Sequence, residues 1–304
     1  KRALLVDADR NYVIIKREEG DGGERQVLTA NLNKVWGNPG AEDDPLLKSR
    51  DQIIVLTERK GRMGVLRGVV NEIVSQNSFG ERKKVVTITG NIRNLGTYPF
   101  TDGMTARKLV DMAMGVLPET DMEYALLRRV SGVERRVTVQ SVSLREVAAG
   151  GGEALLLEPE DELVVLSLKE SRVERIAKFI DELKRQTSKN RPAPFVEIHG
   201  AVRFPGQYPL EPNMVVDDLI QAAGGLQESA YSMSVEVTTR VIIEGERARE
   251  TRQQQISLDD ITMLNAYDSV RINHIPFWNR IKRVMIGGEV MFPEIGRASC
   301  RERV

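Results

Sequence analysis

The chain has 304 residues, room for about two domains, and its 44 Lys+Arg balance 44 Asp+Glu. That balance excludes a basic field for nucleic acid or an anionic membrane surface, and no apolar run approaches the roughly 20 residues of a membrane helix. One cysteine and two histidines offer no cluster with zinc-ligand spacing.

In chain order, residues 1–57 read as the back half of a repeating unit. Asn11-Tyr-Val-Ile-Ile-Lys16 has its counterpart in Glu123-Tyr-Ala-Leu-Leu-Arg128, and Asp51-Gln-Ile-Ile-Val-Leu56 in Asp161-Glu-Leu-Val-Val-Leu166. Residues 20–23 form a Gly-rich turn and 37–40 a loop. The opening strand and helix of this first unit are missing, so its remnant is expected to be the least stable part of the chain. Residues 58–84 are a helical connector, with a weak helix over 63–75 interrupted by Gly64 and Gly68.

A complete unit follows over 85–167. A β-rich run, Val85-Val-Thr-Ile-Thr89, leads into Gly90-Asn-Ile-Arg-Asn-Leu-Gly-Thr-Tyr-Pro-Phe100. Gly permits a turn or bulge there, and a second short strand ends at Tyr-Pro. A helix is predicted over 105–115, ended by a left-handed Gly115, then a strand over 124–130 and a closing strand after Asp161. Residues 168–194 are a helix and Pro-rich linker. The helix, over 170–186, carries Val173, Ile176, Ile180 and Leu183 on one face. So narrow a stripe suits packing against the chain's own neighbouring domain, or a seam to another element or subunit. Residues 188–194 read as a hinge.

The second complete unit spans 195–273. Phe195-Val-Glu-Ile-His199 leads into Gly200-Ala-Val-Arg-Phe-Pro-Gly-Gln-Tyr-Pro-Leu210, which repeats Gly, Arg, Gly, Tyr and Pro of the Gly90 stretch in identical places. Leu219 corresponds to Leu109 and Gly225 to Gly115. Residues 274–293 hold a connector and the start of a further unit, Gly288-Glu-Val-Met-Phe-Pro293. Residues 294–304 abandon the repeat where Gly-x-Tyr-Pro is due. They match the translation of a sequencing adapter, and are expected to lie outside the fold, taking the lone Cys300 with them.

Candidate sites divide by what recurs. His199 corresponds to Thr89 in the other full unit, so no function common to the units can depend on it. Asp51, Asp161 and Asp268 each precede a closing strand. One carboxylate per unit cannot form a paired acid and base, and an Asx-type turn is the simpler role. Gly150-Gly-Gly152 lacks the Lys-Ser/Thr and helix of a phosphate loop. The openings offer the binding candidates: Arg93 and Arg203 for carboxylates, with Tyr98, Phe204 and Tyr208 as aromatic surfaces for a sugar face. Packing of each Tyr under its turn is the competing role. If the openings bind, a neighbouring subunit is the expected partner. No catalytic residue, metal ligand or cofactor is assigned.

The Gly-x-Val-x-Phe-Pro-Gly-x-Tyr-Pro-Leu opening, the small-residue-rich helix and the Asp-led closing strand resemble the soluble-ligand-binding β-grasp (SLBB) domain. Tandem copies resemble the periplasmic part of bacterial polysaccharide export proteins. The resemblance implies an α+β fold of tandem β-grasp domains joined by short helices, like beads on a short string. It also implies a non-enzymatic role in capsule or exopolysaccharide export. The parent would be a homo-oligomer at the outer membrane, handling a polysaccharide and working with an inner-membrane synthesis or co-polymerase partner. A ligand- or glycan-binding module with a scaffold or sensory role is the alternative.

Overall fold

A computed structural model describes residues 4–19, 24–40, 44–58, 61–78, 80–149, 155–188, 191–242, 249–258, 260–276, 278, 283–285, 289 and 295–297. The first unit supplies β1 (Ala8–Glu19), β2 (Glu24–Ala30), α1 (Leu32–Gly37) and β3 (Gln52–Thr57), and α2 (Arg62–Gln76) connects it onward. The second unit contains β4 (Val85–Gly90), β5 (Gly96–Pro99), α3 (Ala106–Met112), β6 (Thr120–Ser131), β7 (Arg136–Val142), α4 (Leu144–Ala149) and β8 (Glu162–Ser167). After α5 (Val173–Arg185), the third unit contains β9 (Phe195–Gly200), β10 (Gly206–Pro209), α6 (Val216–Ala222), β11 (Ser234–Ile242), β12 (Arg249–Ser257) and β13 (Ser269–Ile272). A last pair, β14 (Arg283–Met285) and β15 (Ile295–Arg297), follows.

Both full units have one topology, β5-β4-β8-β6-β7 and β10-β9-β13-β11-β12, with the opening and closing strands parallel and the remaining pairs antiparallel. The first unit contributes β2-β1-β3, the back half of that order. The fold is α+β, in tandem units. Leu109 and Leu219 are both fully buried on the grasped helices. Gly115 and Gly225, at φ +82° and +88°, end those helices. The helix starts differ: Thr105 Oγ1 accepts the Lys108 amide at 3.2 Å, whereas Asp218 reaches back to the Val215 amide at 2.9 Å.

The two glycines of each opening have separate causes. A Cβ on Gly90 would lie 1.9 Å from the Val165 carbonyl oxygen, and one on Gly200 would lie 2.0 Å from that of Ile272. The chain crosses the end of the closing strand there, at φ +96° and +89°, which only glycine permits. The second glycines make room for the connector helices: Met63 lies over Gly96 and Val173 over Gly206.

The closing turns are also built alike. Arg50, Glu160 and Tyr267 take left-handed φ of 70°, 71° and 71°. The next residue in each case, Asp51, Asp161 or Asp268, accepts the amide of the residue three positions back, Lys48, Glu158 or Asn265, at 2.7–2.8 Å. The carboxylate pins the turn, as an Asx-type role requires.

The expectation of beads on a string is corrected by the cores. One core runs from the first unit through α2 into the second, and the other from the second unit through α5 into the third. The cause lies in the closing strand of the second unit, where Leu163, Val164, Val165 and Leu166 are all buried. Leu163 and Val165 face the core shared with the first unit, and Val164 and Leu166, with Tyr124 and Leu126, face α5 and the third unit. The stripe on α5 belongs to this second core: Ile176, Ile180 and Leu183 are buried with Phe179, and Val173, 42% exposed, covers Gly206. It closes an intramolecular seam. The hinge reading of 188–194 is likewise corrected for its described residues. Ala193 is buried, its amide donates to Tyr267 Oη at 2.9 Å, and the Pro194 carbonyl accepts from Leu210.

The third unit differs on its outer face. At the positions of Tyr124, Leu126, Val164 and Leu166, the strand register places Ser234, Glu236, Arg271 and Asn273. Asn273 donates to Glu236 at 2.9 Å. β15 lies within the segment expected outside the fold. Its pairing with β14, Arg297 opposite Arg283 and Ile295 opposite Met285, follows the register of β10 on β9. The third Gly288 opening, residues 150–154 and 298–304 fall largely or wholly outside the described residues.

Candidate functional site: the openings and the joints between units

The structure separates the opening candidates. Arg93 and Arg203 are exposed, while their backbone amides donate to the Gly115 and Gly225 carbonyls at 3.1 and 3.0 Å. Tyr98 and Tyr208 are buried, so the sugar-stacking role does not hold for them. Each phenol folds back beneath its turn and donates to the carbonyl four residues earlier, Asn94 at 2.8 Å or Phe204 at 2.6 Å. Burial pushes the Tyr98 hydroxyl up to about 12 and raises that of Tyr208 as well. Phe204 is also buried, with the Arg172 guanidinium 4.4 Å from its ring centre. Gly224, at φ +80°, makes that ring's place, since a Cβ there would lie 2.8 Å from it.

What these residues build is a joint. Asp121, at the bulged start of β6, accepts the Glu123 and Tyr124 amides through Oδ1 and Arg172 through Oδ2 at 2.7 Å. Arg172, immediately before α5, also donates to the Ala222 carbonyl at the end of α6 at 2.7 Å. It therefore ties the second unit, the connector helix and the third unit through one fully buried guanidinium. Tyr124 and Tyr208 meet edge-on beside it, 6.3 Å between ring centres.

The other joint repeats this. Asp9 Oδ1 accepts the Asn11 and Tyr12 amides, and Asp9 Oδ2 pairs with Arg62. Arg62 donates to the Met112 carbonyl at 2.7 Å, and Tyr12 meets Tyr98 at 6.2 Å. Removing one partner of such a buried pair leaves an uncompensated charge, a cost of about 3–5 kcal/mol. Each connector also caps an edge strand: Gln76 accepts the Arg25 amide at 3.0 Å and Gln186 the Val137 amide at 2.9 Å. The sequence reading missed Asp9, Arg62, Asp121 and Arg172. The available signal was an arginine at or just before the first residue of both connector helices, where the helix dipole disfavours a cation.

Beside the first joint, α2 and the opening turn of the second unit border a groove of about 550 Å³, lined by Arg67, Asn71, Arg93, Asn94 and Leu95 among others. The histidines lie elsewhere: His199 sits 3.4 Å from Glu197, and His274 Nδ1 is 2.9 Å from Ser229 Oγ. Among the described residues, no group of three or more His, Cys, Asp or Glu is placed to hold a metal ion. Nor is any helix among them long and apolar enough to cross a membrane.

No curated protein matches the chain. The SLBB domain family matches residues 85–138 and 195–248, which contain the opening hairpin, the grasped helix and the strand after it in both full units. With the repeated openings and the shared sheet order, these matches identify the chain as an SLBB-domain protein carrying two tandem copies of the domain.

Proposed function

We propose that the chain is a periplasmic segment of a bacterial polysaccharide export protein, and that its units form part of the wall of an oligomeric conduit for capsule or exopolysaccharide. The carrying observation is the pair of equivalent joints, Asp9–Arg62 and Asp121–Arg172. A module that holds one small ligand needs one unit and no fixed relation to the next. A wall needs successive units at a set angle, and buried guanidiniums tied to both neighbours supply that.

In this reading the chain is not an enzyme. It acts at the outer membrane as part of a homo-oligomer of its full-length parent, and an inner-membrane synthesis or co-polymerase partner provides the driving force. Closing a ring lets many weak lateral contacts act together. The test is the parent protein, solubilised from membranes and imaged by cryo-electron microscopy. The expected result is a closed oligomer with these units around an axial lumen. A monomer retaining a bound small molecule at the Arg203 turn would overturn the proposal in favour of a ligand-binding or sensory module.

A further inference from the structure

The groove at the first joint is lined by residues that change at the second. The repeat aligns Arg67 with Ala177, Asn71 with Asp181, Asn94 with Phe204 and Leu95 with Pro205. At the second joint Phe204 is buried and its ring stacks on Arg172. At the first, the smaller, polar Asn94 stands in its place, and it lines the groove together with two guanidiniums. Neither Arg67 nor Arg93 has an ion-pair or side-chain hydrogen-bond partner among the described residues. Some arginines elsewhere are ion-paired, as in Arg128–Glu182, Arg145–Glu123 and Arg175–Glu170, and others such as Arg136 and Arg203 stand exposed outside this groove. What sets Arg67 and Arg93 apart is that they line one groove together. In a chain whose net charge is +0, two unpaired guanidiniums in one groove form a local anion site.

The other groups narrow the class of anion. Asn71 and Asn94 bring amide donors and acceptors suited to hydroxyl groups. Leu95, 59% exposed, offers an apolar surface to the face of a ring. Guanidinium binds carboxylate through two parallel hydrogen bonds. We propose that this groove, between α2 and the opening turn of the second unit, binds a carboxylate-bearing sugar such as a uronate residue within a polymer. The choice of a sugar rests on the glycan-handling function proposed above. The choice of a carboxylate rests on Arg67 and Arg93 alone.

The experiment titrates the whole chain with trigalacturonate, maltotriose and inorganic phosphate at one ionic strength, by calorimetry or amide NMR shifts. Trigalacturonate is expected to bind saturably, at least about tenfold more tightly than either other probe. Arg67→Gln and Arg93→Gln should each weaken it about tenfold or more, without changing the melting temperature, because both side chains are exposed. Arg203→Gln should have no effect. Asn94→Phe, which copies Phe204, should abolish binding while keeping both arginines. Failure of trigalacturonate to bind at about 10 mM, equal binding of maltotriose or phosphate, or unchanged binding in both arginine variants would each overturn the proposal. Assembly of the parent is a separate readout: a closed oligomer that ignores trigalacturonate sinks this inference and leaves the conduit standing.

Discussion

The second and third units share strand order, opening and closing turn, yet their sheets differ on one face. In the second, Tyr124, Leu126, Val164 and Leu166 are buried against α5 and the third unit. In the third, Ser234, Glu236, Arg271 and Asn273 stand in their places. The inner faces stay alike because each must cover its own helix. The outer faces differ: the apolar one is kept where α5 and the third unit pack on it, and the polar one carries a hydrogen bond from Asn273 to Glu236 instead.

Exchanging residues between the faces should give the largest contrast. Leu126→Glu would bury a carboxylate without a partner and is expected to cost more than about 4 kcal/mol, or to prevent folding. Glu236→Leu, the reverse change at the matching position, should cost less than about 1 kcal/mol, since it removes only exposed or half-buried contacts to Asn273 and Gln253. Urea unfolding of both variants measures the difference, and equal costs would deny that the two faces differ in role.

The joint comes next in size. Arg172→Ala should cost about 3–5 kcal/mol by stranding Asp121. Its particular signature is separation of the third unit from the second, read as a new early step in hydrogen exchange of β9 and α6. Loss of stability spread evenly over the chain would argue against a joint.

The smallest expected effect concerns the closing turns. Arg17 donates to Asp51 through two nitrogens at 2.9 and 2.8 Å and, with the Lys48 amide, holds that carboxyl down to about 2. Arg129 grips Asp161 in the same way, at 3.1 and 2.7 Å. In the third unit the register puts Thr239 where Arg129 stands. Asp268 Oδ1 is buried with no partner at hydrogen-bond distance, and although the Asn265 amide and the Thr239 hydroxyl beside it favour the charged form, burial outweighs them and raises the carboxyl's pKa. A raised value in the folded state means that the charged form is penalised at neutral pH and relieved as pH falls through that value. Thr239→Arg should therefore stabilise the chain by about 1 kcal/mol near pH 7. The gain over the parent should shrink as pH falls through that raised value, where the unmodified Asp268 sheds its penalty by protonation. A gain that is constant across this range would exclude Asp268 as its source.

Much of this fold was legible because the constraint acts within a short stretch. Gly90 and Gly200 mark a crossing that admits no side chain, and Leu109 and Leu219 mark a helix face. Asp51, Asp161 and Asp268 each bind an amide three residues away. The joints were not legible, since Asp121 and Arg172 meet across 51 residues of chain and an isolated arginine beside a helix start reads as a surface residue. The tyrosines were read two ways, as a sugar surface or as packing under the turn, and only the connector helix and the folded-back turn decide for packing. The groove was half legible. Arg93 was visible in the repeat, but Arg67 gained meaning only when α2 was placed beside the opening.

Each joint assigns its parts asymmetrically. The carboxylate and one tyrosine come from the preceding unit, the guanidinium from the connector, and the carbonyl and second tyrosine from the unit that follows. One full period of the chain, from Val85 to Pro194, therefore carries a socket at its trailing end and a matching plug at its leading end. Duplicating that segment in frame would insert a further unit between two existing ones, with every new contact already specified and neither end of the stack altered. Duplicating the third unit after itself would not, because Tyr231 and Ser234 occupy the places of Asp121 and Tyr124. The length of such a protein can thus change by gene duplication in steps of one unit wherever the Asp and Tyr of the joint are kept.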